Sequence, residues 1–347
     1  MPVSPNGPEF RVNTYTTGEQ VTYDPEPFNP SAAPSGQQSF RKVAMAADGR
    51  YVVVWASQGQ DNTSESARWG VYAQLYNADG TVNGGPILVN TVTRYDQLAP
   101  AVAMDTDGDF VVTWSSYYQS GGGGTDVDGF GIYGQRYSST GTTLGSTFQI
   151  NTTTLADQLN SSIAMQSDGS FVVSWSNGFT DEENIVARRY TINASGVPVA
   201  ATNEVVVNTT PTANSQQRSS NLAVDSTGRF VVVWEANGKD GDRYGIYGRA
   251  YNADGTAIGS EFLINTYTTG DQRNPSIAMD TDGDFVVTWW GAGAEDGVGI
   301  YARRFKIDSA APGTGVTAKT EPDGKQYKLV NLPNGLADSN ASVVMDA

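Results

Sequence analysis

The sequence has no cysteine and no histidine among its 347 residues. The first absence rules out disulfides and thiolate metal sites, and the second removes the commonest general base and the commonest transition-metal ligand. Charge is sparse and one-sided: 21 Lys and Arg against 37 Asp and Glu give a net charge of −16. Nucleic acid is therefore not an expected partner, since phosphate binding needs a basic footprint. No apolar run approaches membrane-spanning length, so no membrane insertion is expected. The first residues, Met1 to Pro8, lack the basic and apolar regions of a secretion signal. The expectation is a segment of a longer exported chain, acting outside the cell or on its surface.

What the chain does have is a beat. Trp55, Trp114, Trp175, Trp234 and Trp289 lie 59, 61, 59 and 55 residues apart. Each closes a run such as Phe110-Val-Val-Thr-Trp114, and each follows a glycine by six residues (Gly49, Gly108, Gly169, Gly228, Gly283). The glycine ends a tight turn, as in Asp280-Thr-Asp-Gly-Asp284 between Pro275-Ser-Ile-Ala-Met279 and Phe285-Val-Val-Thr-Trp289. Asp-Gly between two apolar runs is a strong hairpin signal, because glycine takes positive φ without steric cost. A third strand follows a variable loop (Gly131-Ile-Tyr-Gly-Gln-Arg-Tyr137), and a fourth closes the unit (Phe148-Gln-Ile-Asn151).

Four strands per period of this length predict an all-β fold, a β-propeller of four-stranded blades with five full repeats. The repeats run approximately over 37–97, 98–158, 159–217, 218–272 and 273–338, in a single domain over 1–347. In Phe110 to Trp114, alternation puts Phe110, Val112 and Trp114 on one face and Val111 and Thr113 on the other, both apolar enough to lie between blades.

The ends overrun the period. Residues 9–14 are a spare copy of the fourth strand, and 342–346 a spare copy of the first. A five-bladed ring with overhangs, a six-bladed ring with one blade incomplete, and self-association through the spare strands each account for them. The five-bladed ring is the reading adopted. Two insertions interrupt the pattern: Val21 to Gly36, with Pro25, Pro27, Pro30 and Pro34, and Lys306 to Lys328.

Three groups of residues are candidates for chemistry. Asp105, Asp107 and Asp109, with Asp280, Asp282 and Asp284, place carboxylates at alternate positions, the spacing of oxygen-rich calcium loops. Calcium is the cofactor such a set would take. The equivalent turns lack a full set, so hairpin formation alone also explains the aspartates. The loops between second and third strands differ most between repeats and emerge on one face. They offer Trp69, Tyr117, Tyr118, Asp126, Asp128, Tyr244 and Trp290, aromatic planes beside acids that suit sugar recognition. Asn13, Asn90, Asn151, Asn208 and Asn265 close the fourth strands, with Gln97, Gln158, Gln217 and Gln272 shortly after. Amides repeated once per blade suit the satisfaction of backbone groups at the crossover.

The hairpin, the Gly-Ile-Tyr-x-x-Arg-Tyr strand and the Phe-x-Ile-Asn-Thr strand resemble repeats of very large secreted or surface proteins of cyanobacteria and other Gram-negative bacteria. The likeness spans residues 9–346. The turn also has a distant similarity to calcium-binding FG-GAP repeats, but is shorter. The resemblance implies an adhesin-like or surface-layer-like protein outside the cell, with the cell surface or matrix as partner; the glycan expectation comes from the loop aromatics and acids. The resulting expectation is a non-catalytic extracellular adhesion and recognition module that binds glycans. The alternative is a structural subunit of a surface layer, matrix or filament, and a glycoside hydrolase stands third.

Overall fold

The computed structural model describes residues 10–17, 19–21, 42–61, 68–117, 129–178, 183–209, 216–293, 298–319 and 327–331. Among them there are strands and turns and no helix, so none long and apolar enough to cross a membrane. Five antiparallel sheets follow one another along the chain. In blade 2, Gln97–Met104, Phe110–Tyr117, Phe130–Tyr137 and Thr143–Gln149 are hydrogen-bonded in that order. Blade 4 repeats the order with Gln217–Val224, Phe230–Asn237, Tyr244–Tyr251 and Phe262–Leu263. Blade 3 opens with Gln158–Met165, Phe171–Asn177 and Asn184–Ile192, and blade 5 with Gln272–Met279, Asp284–Ala292 and Val298–Ile307. In each of these two, the outer place is shared by two short strands. In blade 1 the first strand is itself split into Gln20–Val21 and Val43–Met45, both paired with Tyr51–Gln58. First strands of successive blades pack together, so they form the inner wall.

The all-β propeller expectation is thus met, and the alternation argument explains the packing. Phe110, Val112 and Trp114 pack with Val52, Val54 and Leu75 of blade 1, while Val111 joins Val173 and Trp175 of blade 3. Within a blade, an aromatic pair ties second to third strand: Phe110 stacks on Tyr137 at 5.0 Å, Phe171 on Tyr190 at 4.9 Å and Phe230 on Tyr251 at 4.9 Å. The turn glycine is forced by backbone geometry, with φ of +89° at Gly108 and +87° at Gly283.

The first strands are longer than the sequence suggested, because the glutamines belong to them. Gln97 pairs with Ser116 and Leu98 with Ser115; the register then slips before Ala101. The slip is a bulge that carries a non-glycine residue at positive φ: Ala99, Asn160, Ser219 and Asn274 at +53°, +60°, +58° and +54°. An alternating pattern with an extra residue reads as a break, which is why the extension was invisible.

The recurrent amides knit one blade to the next. Asn151 accepts the Ile132 N–H at 2.8 Å through Oδ1 and donates to Gln158 of blade 3 at 2.8 Å. Asn265 does the same with Ile246 at 2.7 Å and Gln272 at 3.1 Å. Gln97 and Gln217 in turn accept the indole N–H of Trp114 and Trp234, at 3.1 and 2.8 Å. Buried backbone and indole donors are thereby satisfied.

Ahead of blade 1, Phe10 and Asn13 make contacts like those of a fourth strand, although residues 10–14 form no strand. Phe10 packs on Tyr76 at 5.4 Å as Phe148 packs on Tyr190 at 5.6 Å, and Asn13 donates to Gln20 at 2.9 Å. Yet the inner part of that neighbouring place is open among the described residues. Val43 is 53% exposed, whereas its equivalents Val102, Ile163, Leu222 and Ile277 are at most 1% exposed. On the far side of blade 5, Val286 and Ile300 are half-buried where the equivalents in other blades are fully buried. The other spare copy, 342–346, lies outside the described residues.

Candidate functional site

The loop end of the inner wall is built from three equivalent positions per blade. The residue after each first-strand glutamine is Val21, Leu98, Leu159, Arg218 or Arg273, and it pairs across the sheet with Ala56, Ser115, Ser176, Glu235 or Trp290. The third position opens or just precedes the third strand and is Trp69, Phe130, Glu183, Tyr244 or Val298, each one residue before the position paired two steps past the repeat tryptophan. In blades 1 to 3 most of these places make an apolar cluster of Val21, Ala56, Trp69, Leu98, Ala99, Phe130 and Leu159. Glu183 of blade 3, Arg218 and Glu235 of blade 4 and Arg273 of blade 5 carry charge instead.

Glu235 is the centre of the charged half and is fully buried. Its Oε2 accepts the backbone N–H of Asn274 at 3.0 Å. That bond has a precedent in the repeat: Ser115 accepts the N–H of Asn160, from the same bulge one blade on, at 3.3 Å. A glutamate in the serine's place keeps this bond and has a second oxygen left over. Oε1 accepts from Arg273 Nη2 at 3.0 Å and lies 3.7 Å from Arg218 Nε. Both arginines stack on Tyr244, with guanidinium carbons 4.4 Å (Arg273) and 5.0 Å (Arg218) from the ring centre. The Tyr244 hydroxyl donates to Gln216 at 2.6 Å and accepts from Arg218. The arginine side chains keep about a third of their surface exposed, at 34% and 33%.

Glu183, just before the third strand of blade 3, completes the group. Burial pushes its carboxyl up to about 7, with Arg218 opposing the shift and Glu235 adding to it. Its Oε2 is buried and has no hydrogen-bond partner among the described residues. A carboxyl that holds its proton to neutral pH, beside an ion-paired carboxylate, is the arrangement that separates an acid from a base.

The residues singled out from sequence fall differently. Trp69 and Tyr244 are only 4% and 9% exposed, so the exposed planes expected there are absent. Trp69 belongs to the apolar cluster and Tyr244 is covered by arginines. Tyr117 is half-buried against Phe130 (4.9 Å) and Tyr95 (6.1 Å). Trp290 is half-buried, on the same face of its strand as Val286. Tyr118, Asp126 and Asp128 lie outside the described residues.

The turn aspartates do internal work. Asp105 Oδ1 accepts the N–H groups of Asp107 and Asp109 at 3.1 and 2.9 Å, and Asp280 those of Asp282 and Asp284 at 3.0 and 2.9 Å. Asp109 is held by Arg136 at 2.8 Å and Asp284 by Lys319. Asp107 and Asp282 are exposed. Among the described residues, no group of three or more acidic side chains gathers to hold a metal ion.

Sequence reasoning missed Glu183, Arg218, Glu235 and Arg273. The signal was there: at position after position the repeats agree, and Glu235 is the one charged residue to follow a repeat tryptophan. Finding it required aligning the repeats for where they disagree rather than where they agree.

No family model matches the chain, and no curated protein matches it. Solved structures share its architecture. Polysaccharide lyase Uly1 superposes with a TM-score of 0.52 at 11% identity, covering 90% of this chain and 77% of the enzyme. An α-L-arabinanase of Penicillium chrysogenum gives 0.48 at 12% identity, covering 82% and 92%. The α-L-arabinofuranosidase of Fusarium graminearum gives 0.46 at 11% identity, covering 85% and 84%. At such identities the likeness shows the propeller fold.

The expectation of a non-catalytic adhesion module is corrected. Polysaccharide lyase Uly1, the arabinanases and the arabinofuranosidase are carbohydrate-cleaving enzymes by name, but a hydrazine synthase of Kuenenia stuttgartiensis is similar too, so these likenesses show the fold and the correction rests on the site. The sequence reading also rested on the lack of a convergent constellation, and Glu183 with Glu235 and its arginines is one.

Proposed function

We propose that the protein is a carbohydrate-cleaving enzyme working at the loop end of blades 3 to 5. The observation that carries this reading is Glu183, a carboxyl pushed up to about 7 by burial and set beside the buried Glu235 carboxylate and Arg218, whose side chain is about one-third exposed. At neutral pH such a group is about half protonated and can hand its proton to a leaving oxygen. Glycosidic cleavage needs that step, and with no histidine in the chain a carboxyl is the natural donor. Glu235 is the positioning residue: both its oxygens are occupied, and it holds Arg218 and Arg273 in place while its charge favours the proton on Glu183. A polymeric glycan as substrate goes with an extracellular setting.

The test is release of new chain ends from a panel of plant, algal and bacterial polysaccharides. The wild type should cleave at least one, and Glu183→Gln should be slower by about 100-fold or more. No cleavage by the wild type across the panel, or an undiminished Glu183→Gln, would overturn the reading.

A further inference from the structure

We propose that the place between blade 5 and blade 1 is a docking site for a partner β-hairpin, a two-stranded polypeptide unit patterned like the second and third strands of this chain's own blades.

Two apolar faces frame that place. On blade 1, Val43 and Met45 are 53% and 63% exposed, and Tyr51 and Val53 are half-buried. The matching residues of blade 2, Val102, Met104, Phe110 and Val112, pack on Val52, Val54, Val71 and Ala73 of the blade before. On blade 5, Val286 and Ile300 are half-buried, whereas their equivalents Val111 and Ile132 are fully buried against Ile163, Phe171 and Val173 of the blade after. From blade 1 to blade 5 each first strand packs on the next, and among the described residues no comparable packing joins blade 5 to blade 1. What each face lacks is a neighbouring blade.

Part of that blade is already in place. Tyr76 donates to the Val12 carbonyl at 3.4 Å, as Tyr190 and Tyr251 donate to Ile150 and Val207 of the blades before them, each at 3.2 Å. Residues 10–13 thus hold a fourth strand's position without its neighbour. Asn90, Asn151, Asn208 and Asn265 each accept an N–H from the third strand of their own blade, at 2.7 or 2.8 Å. Asn13 makes the donor bonds of the series, to Tyr15 and Gln20, but among the described residues no third strand offers it that N–H. The sequence adds a copy of a first strand at 342–346: Val343 follows Asn331 by the 12 residues that separate Ile277 from Asn265 and Ile163 from Asn151. A second and a third strand remain to be supplied.

The chemistry of the occupant follows from the four interfaces between described blades. It carries β-branched and aromatic residues on both faces, to cover Val43 and Val53 on one side and Val286 and Ile300 on the other, and it brings the backbone N–H that Asn13 lacks. The five hairpins of this kind in these 347 residues are each paired within their own blade, so the occupant is a further one. An unpaired strand position between open apolar faces is where strand addition gains both hydrogen bonds and burial.

The experiment adds such a hairpin. A synthetic peptide of residues 229–251, the second and third strands of blade 4, should bind the full chain one-to-one in calorimetry. Val43→Asp should weaken that binding by about tenfold or more, since a carboxylate would be buried without a partner. Leu155→Asp, at a position 74% exposed elsewhere on the molecule, should bind as the wild type does. An isolated hairpin is marginally stable in water, so a tethered one is the second arm. The full chain is extended after Asp346 by a copy of 281–307, in the register in which that segment follows Asp280. The extended chain should melt at least about 4 °C higher, and Val43→Asp should remove most of the gain. Binding or a gain that is indifferent to Val43→Asp, or neither binding of the peptide nor a higher melting point of the extended chain, would overturn the proposal.

Discussion

Arg273 of blade 5 donates to Glu235 of blade 4 at 3.0 Å, across the boundary between two sheets. This ion pair is buried on the acid side and is the polar counterpart of the apolar clusters that join other blades. Removing Glu235 leaves arginines that keep about a third of their surface in water, together with the unmet Asn274 N–H. Glu235→Leu should therefore destabilise by about 1–3 kcal/mol. Urea unfolding of Glu235→Leu and of the double variant with Arg273→Leu would check it: the double variant should recover part of the loss.

Glu183 makes both activity and stability depend on pH. Its value in the folded protein, about 7, lies above its ordinary 4.5, so the folded state binds the proton more tightly than the unfolded chain. The stability this contributes is full below about 4.5 and is lost as pH rises to 7. Melting temperatures of wild type and Glu183→Gln between pH 5 and 8 should show the wild type falling relative to the variant. Cleavage should decline above pH 7 with the loss of the acid form.

The turn aspartates should be structural and indifferent to calcium. Asp225 is the cleanest case, accepting from the N–H of Thr227 and Arg229 at 2.9 and 3.0 Å and from the Arg229 side chain at 2.6 Å. Asp225→Ala should cost about 1–3 kcal/mol by leaving turn donors unmet. The same loss should appear in denaturation curves with calcium and with chelator; a wild-type melting point that drops on chelation would contradict this.

The open side of blade 1 gives a paired comparison. Val43 and Ile163 hold the same place in the repeat but are 53% and 0% exposed. Val43→Asp should change stability by no more than about 0.5 kcal/mol, whereas Ile163→Asp should cost more than about 4 kcal/mol or prevent folding. Expression and thermal melting of the two variants settle it.

The fold was legible because its determinants are local and repeated. Asp-Gly turns, alternation around the tryptophans and the asparagine at each fourth strand are all periodic, and they reappear as hairpins, blade interfaces and amide clasps. The bulge at Asn160 was not, because its positive φ is written by no glycine. The site was less legible still. Trp69 and Tyr244 look like exposed aromatics in a variable loop, yet each is the first residue of a third strand and turns inward. Glu183 and Glu235 are 52 residues apart, and only the packing of successive blades brings them into one charged patch.

Ser115 and Glu235 sit at the same step of the repeat and receive the same N–H from the following blade. The same bond is thus made by a neutral and by a charged oxygen, and Ala56 and Trp290 occupy the equivalent step with none, so the scaffold tolerates wide change there. Chemistry can enter the ring there by a change at one codon, without disturbing the clasp or the aromatic pair that hold the blade. Five equivalent steps give five such openings, and in this chain one has been taken.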